Sequence, residues 1–238
     1  MVPLRDENPV RITPYVTYGL IILNVLVFLF ELSLSSGELQ SFMRQWAVVP
    51  IELSVTFQGQ LSEGDTLHEF LTLITAQFLH GGFLHVAGNM LYLWVFGNNV
   101  EEQLGGAKFL LFYLACGVLA SLTQWFFDPL SNIPSLGASG AIAGVMGAYV
   151  IRFPGAQVLT LIPIFIFITT IRIPAVYFLG FWFVQQALYG VASLGTPTAI
   201  GMSGGGIAYW AHAGGFVFGA LLAPLLGLFD TNDHNFSS

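Results

Sequence analysis

Six apolar stretches punctuate the chain, at residues 15–34, 85–104, 108–127, 138–153, 174–193 and 207–229. All but the fourth approach the ~20 residues that a helix needs to cross the hydrocarbon core of a bilayer. Charged residues make up only 8% of the 238 residues, whereas a soluble domain carries roughly a quarter. Backbone groups inside lipid must be satisfied within the segment itself, so the pattern predicts an all-α membrane protein with six transmembrane helices. The fourth stretch, at ~1.5 Å per residue, is only about 24 Å long, which places Ser139 at its beginning below the membrane surface.

Cation placement predicts the orientation. An even number of spans leaves both termini on one side, and that side holds Arg5, Arg11, Lys108, Arg152 and Arg172, against Arg44 alone on the other. The expected organisation is therefore a cytoplasmic segment at 1–14, a six-helix membrane domain at 15–229 and a cytoplasmic tail at 230–238. The six cations are scattered and the net charge is −7, which argues against a nucleic-acid partner. The first apolar run begins after Pro14 without a clear small-residue cleavage site, so no cleavable signal peptide is expected. The lone Cys116 cannot form an internal disulfide and reads as a small buried hydrophobe.

Two regions fit neither span nor simple loop. Residues 155–173 are apolar but interrupted by Pro163 and flanked by Pro154 and Pro174, which predicts an extended interfacial connection on the cytoplasmic side. The first external loop, about 35–84, mixes polar and apolar positions through Glu69, Phe70, Leu73, Ile74, Gln77 and Phe78, as a membrane-surface helix does.

Polar residues inside the spans are the candidates for function, because hydrocarbon makes them costly. Ser139 lies in Gly137-Ala138-Ser139-Gly140 and His212 in Ala211-His212-Ala213-Gly214-Gly215, each at the outer start of an inward-running span. Gly140, Gly144 and Ala148, and likewise Ala211, Gly215 and Gly219, recur every four residues. Two such small-residue faces let helices pack closely and would bring hydroxyl and imidazole together as nucleophile and base. Serine beside glycine also occurs for packing alone, and the histidine can equally be a structural hydrogen-bonding group. His85 and Asn89 share one helical face. They read as oxyanion donors together with the Ser139 backbone N–H, as an interhelical polar contact, or as part of a metal site, although no His-Glu-x-x-His motif is present. Asp128 reads as an end cap, Asn24 as a helix contact, and Tyr189 and Trp210 as packing residues that could support His212.

Taken together, Phe78-Leu79-His80, His85-x-x-x-Asn89, Gly97-x-x-x-Glu101, Gly137-x-Ser139-Gly140 and Ala211-His212-x-Gly214-Gly215 resemble the rhomboid intramembrane serine proteases over about residues 15–229. The resemblance implies a six-transmembrane-helix rhomboid-like bundle with a long first external loop. It implies a serine-type endopeptidase with catalytic Ser139 and His212, an oxyanion site of His85, Asn89 and Ser139, and no metal or organic cofactor. It also implies transmembrane protein substrates, a cavity opening outward and a structural or water-organising His80, with Gly97 and Glu101 as a structural motif. A prokaryotic plasma membrane is the expected location. Arg44-Gln45-Trp46 departs in order and spacing from the Trp-Arg pair of many rhomboids. The stretch 194–206 resembles the flexible cap over the active site, which with the fifth span would gate entry. The rival readings are a non-catalytic relative that binds client helices and a small-solute transporter; the latter would show internal repeats or paired intramembrane charges.

Overall fold

The computed structural model describes residues 1–164, 167–194 and 208–230. Nine helices lie among the described residues, in chain order α1 (Tyr15–Ser33), α2 (Ser36–Trp46), α3 (Pro50–Phe57), α4 (Glu63–Thr75), α5 (Phe83–Leu104), α6 (Gly106–Phe127), α7 (Ser139–Arg152), α8 (Ala175–Ser193) and α9 (Tyr209–Leu225). Three of them, α1, α6 and α8, are individually long and apolar enough to cross a membrane. A fourth span results if α4, with the short 3-10 turn after it, and α5 are counted as one path bent by 81°. Helices α7 and α9 are apolar but shorter.

Burial explains the central position of α7. Every residue from Gly140 to Tyr149 is buried, which is the behaviour of a helix apolar on all faces. Helices α5, α6, α8 and α9 surround it. Outer helices instead present apolar residues outward, as Ile22, Leu26 and Leu29 do on α1. The start of α1 is stapled to α5 by Glu101, whose carboxylate accepts from the backbone N–H groups of Val16 and Thr17 and from the Thr17 hydroxyl, at 2.7–2.9 Å. Gly97 makes room for that contact, since a Cβ there would lie 3.2 Å from the Thr17 side chain.

The all-α expectation needs one amendment. Residues 2–6 and the proline-interrupted connection form a three-stranded antiparallel sheet, ordered β1 (Val2–Asp6), β2 (Gln157–Ile164) and β3 (Phe167–Pro174). Val2 pairs with Leu161 and Asp6 with Val158, while Val158 also pairs with Ile173. The connection is rich in β-branched residues, and proline disfavours helix, so pairing satisfies its backbone. Arg172 meets Glu7 at 2.6 Å, and the Tyr149 hydroxyl donates to Asp6 at 2.6 Å, which ties the sheet to the end of α7 farthest from Ser139. Burial raises the Asp6 carboxyl above its ordinary range, and the Tyr149 bond opposes that rise.

The segment between α1 and α5 is a small helical layer with its own apolar cluster of Val48, Leu53, Leu73 and Ala76, packed against Val118, Leu122 and Trp125 of α6. Trp125 Nε1 donates to Ser54 Oγ at 2.8 Å. In the Arg44-Gln45-Trp46 segment, Arg44 pairs with Glu52 at 3.5 Å and Trp46 packs edge-on against His68. Glu69 on α4 is buried with one oxygen lacking a partner; burial first, then the nearby Glu52, pushes its carboxyl up to about 7, against a lowering by His68.

Candidate active site

The segment between α1 and α5 holds the approach to Ser139. Val48 and Ser135 exchange backbone hydrogen bonds of 3.1 and 2.7 Å, and the Gly137 N–H donates to the Ala76 carbonyl at 2.8 Å. Gly137 has φ +122°, a conformation that side chains strain to reach, and a Cβ there would also lie 2.8 Å from the His85 ring. The chain then turns directly into α7, so Ser139 is the first helical residue. Its backbone N–H belongs to the first turn, where no intrahelical acceptor exists.

Small residues set the distance between α7 and α9. A Cβ on Gly215 would collide with the Gly140 carbonyl oxygen, one on Gly219 with that of Gly144, and one on Gly147 with that of Phe216. Cys116 fills the adjoining space on α6, buried against Gly144. The spacing of four thus becomes a seam of backbone against backbone, and it places His212 Nε2 2.8 Å from Ser139 Oγ. On the other side of the ring, Nδ1 lies 2.8 Å from Gln186 Oε1 on α8. Trp182, one turn earlier on α8, packs with its ring centre 5.7 Å from that of His212.

Gln186 was not anticipated, although Gln185-Gln186 is a visible polar pair in an otherwise apolar span. Its importance depends on which helix face meets α9, and one span read alone does not reveal that. Tyr189 and Trp210 lie elsewhere: Tyr189 packs on Tyr209, and Trp210 stacks on Phe127 at 3.7 Å.

His85 and Asn89 do converge. Both approach the position that a Gly137 Cβ would occupy, two residues before Ser139, with Asn89 Nδ2 3.7 Å away. His85 Nδ1 accepts from the Gly81 N–H at 3.4 Å, which leaves Nε2 as the protonated nitrogen on the Gly137 side. Asn89 Nδ2 donates to His80 Nε2 at 3.0 Å, and the His80 backbone N–H donates to Glu31 Oε1 at 3.1 Å. His80 therefore orients Asn89 and does not touch Ser139 Oγ directly. Among the described residues no group of three or more His, Cys, Asp or Glu side chains is arranged to hold a metal ion. Asn24 donates to its own helix at Leu20, and Asp128 closes α6.

Ser139, His212 and His85 are half-buried, while Asn89 is buried. The arrangement offers a hydroxyl bonded to an imidazole, with amide and imidazole N–H groups gathered beside the same loop. That is equipment for acyl transfer. The expected cap at 194–206 lies almost entirely outside the described residues.

Residues 67–229 match the family model for the rhomboid domain. The chain is 37% identical over 135 residues to "Rhomboid protease GluP" of Bacillus subtilis, covering 57% of this chain and 24% of that protein. It is 30% identical over 209 residues to "Rhomboid protein 1, mitochondrial" of Saccharomyces cerevisiae, covering 86% of this chain and 51% of that one. A third relative, "Putative rhomboid protease YdcA" of Bacillus subtilis, is 38% identical over 81 residues, which cover 34% of this chain and 40% of that protein. The chain thus spans about a quarter to a half of the length of these relatives. With a domain match over more than half of its residues and with apolar helices fit to cross a bilayer, the chain is an integral membrane protein of the rhomboid family.

Proposed function

We propose that this protein is an intramembrane serine endopeptidase that hydrolyses peptide bonds in or near the transmembrane segments of single-pass membrane proteins. The observation that carries the reading is the 2.8 Å contact between Ser139 Oγ and His212 Nε2, set beside His85 and Asn89. Names of relatives that include the word protease agree with it.

In the proposed reaction Ser139 Oγ gives its proton to His212 Nε2 as it bonds to the substrate carbonyl carbon. The resulting oxyanion lies against the Ser139 backbone N–H, His85 Nε2–H and the Asn89 amide, at the positive end of the α7 dipole. His212 returns the proton to the departing amine as the C–N bond breaks. Water then gives a proton to His212 as it attacks the acyl carbon, and His212 passes that proton to Ser139 Oγ as the acyl–oxygen bond breaks and the acid leaves. Each donor is worth about 10²–10³ in rate in comparable oxyanion sites. Substrates must unwind locally, because a helical peptide bond is shielded from a nucleophile.

The six-span reading assigns α1, α5, α6, α7, α8 and α9 to the membrane domain at 15–229, with both termini in the cytoplasm. Arg152, at the α7 end opposite Ser139, supports a site that opens outward. Entry of substrate between α5 and α8 is part of this reading; a cleft of about 250 Å³ lies between those helices, lined by Met1, Tyr92, Phe178, Phe181, Trp182 and Gln185. The test is reconstitution in liposomes with a single-pass substrate, comparing wild type with Ser139→Ala. Cleavage confined to the wild type is expected. Cleavage that persists in the variant removes the nucleophile assignment, and no cleavage by either favours a client-binding role.

A further inference from the structure

We infer that Gln186 on α8 is a positioning residue that fixes the tautomer of His212 and makes the competence of the base depend on where α8 sits. The inference rests on the proposed hydrolytic role of Ser139 and His212, and adds to that pair a group on a third helix.

Geometry supplies the first argument. Gln186 is 8% exposed, and its carbonyl oxygen lies 2.8 Å from His212 Nδ1. An amide oxygen can only accept, so Nδ1 must carry the proton. The same ring then presents a lone pair at Nε2, 2.8 Å from Ser139 Oγ, where the hydroxyl proton can be received. With the opposite tautomer Nε2–H would face Ser139 and could not take its proton. A bond to one imidazole nitrogen commonly decides the state of the other in this way. Trp182, one helical turn from Gln186, packs the ring in place.

Helix α8 supplies the second argument. Its outward face exposes Phe181, Val184 and Leu188, whereas Trp182, Phe183 and Gln186 face α9, with Phe183 stacked on Phe216 at 4.8 Å. These contacts run through side chains rather than through backbone. A displacement of α8 therefore separates Gln186 from His212 while the α7–α9 seam keeps Ser139 and His212 at their spacing. The base loses its orientation before the pair loses its distance.

Two substitutions separate positioning from packing. Gln186→Met keeps the length and burial of the side chain but removes the acceptor. Gln186→Glu keeps an acceptor and adds a charge that favours imidazolium. In liposomes, Gln186→Met is expected to lower kcat by about 10- to 100-fold with KM little changed, because the residue orients the base and does not touch substrate. Gln186→Glu is expected to recover much of that rate and to move the acid limb of the kcat–pH profile to higher pH, since a nearby carboxylate keeps the base protonated further up the scale. Nitrogen-15 spectra of histidine-labelled protein, with the His212 signal identified by its loss in His212→Ala, read the tautomer without any cleavage. The wild type should show Nδ1–H, and Gln186→Met a mixture. The proposal is overturned by wild-type protein in the Nε2–H form, by Gln186→Met with unchanged tautomer and kcat, or by Gln186→Glu with an unmoved acid limb. If the wild type cleaves nothing, the hydrolytic reading fails, while the spectra still decide the tautomer.

Discussion

Helix α9 meets α7 and α8 by opposite means. Toward α7 it presents glycines, and carbonyl oxygens occupy the space where side chains would be. Toward α8 it presents Phe216 and His212, met by Phe183, Trp182 and Gln186. The first contact admits almost no variation, because backbone cannot rotate out of the way. The second can repack, since large side chains have alternative rotamers. The proposed reacting pair, Ser139 and His212, spans the rigid contact, and Gln186, proposed to orient the base, spans the adaptable one. In that proposal the distance within the pair is set independently of the position of α8.

The hardest blow to this contrast is Gly219→Val, which drives a branched side chain into the Gly144 carbonyl. It is expected to cost more than about 3 kcal/mol and to abolish folded protein, as read by thermal unfolding in detergent. A change of side chain on the other contact should be tolerated: Phe183→Leu is expected to cost only about 1 kcal/mol in the same assay. Asn89→Ala tests the chemistry beside the seam without touching either contact, and should lower kcat by about 10²-fold, read by substrate cleavage. A crosslink between cysteines placed at Tyr92 on α5 and Phe178 on α8, whose ring centres are 6.5 Å apart, should reduce cleavage of a transmembrane substrate about tenfold and spare a short soluble peptide. Undiminished transmembrane cleavage would count against entry between those helices.

A comparably small effect is expected outside the membrane helices. Glu69 has its carboxyl raised to about 7, so the folded state holds a proton that the unfolded state releases near 4.5. Its burial is harmless to stability below about pH 4.5 and becomes a growing penalty as pH rises towards 7. Glu69→Gln should therefore stabilise the protein by about 1 kcal/mol at pH 8 and leave it unchanged at pH 4, measured by thermal unfolding at both values. This change should leave the behaviour of both α9 contacts as it was.

Much of the rigid contact was legible in the chain, and little of the adaptable one. Glycines spaced by four mark a face that another helix must approach closely, so the meeting of Ser139 and His212 could be expected before any coordinates. The helix positions followed from apolar length, and the convergence of His85 with Asn89 from their spacing. Gln186 could not be singled out, because its role depends on the rotation of α8 against α9. Strand β1 was hidden for a related reason: Val2-Pro3-Leu4-Arg5-Asp6 is too short to show a period, and its partner lies more than 150 residues away. The prolines of residues 155–173 signalled an extended connection, while pairing with β3 and β1, which the sequence does not show, makes that stretch the centre of a sheet.

The central claim is that His212 activates Ser139. Its most direct test is covalent labelling of the detergent-solubilised protein with a fluorophosphonate, followed by mass spectrometry to locate the adduct. A single adduct on Ser139, falling by at least about 10²-fold in rate in His212→Ala protein that still unfolds cooperatively, is the predicted result. Labelling at another residue, or labelling of Ser139 that is as fast without His212 as with it, would contradict the account.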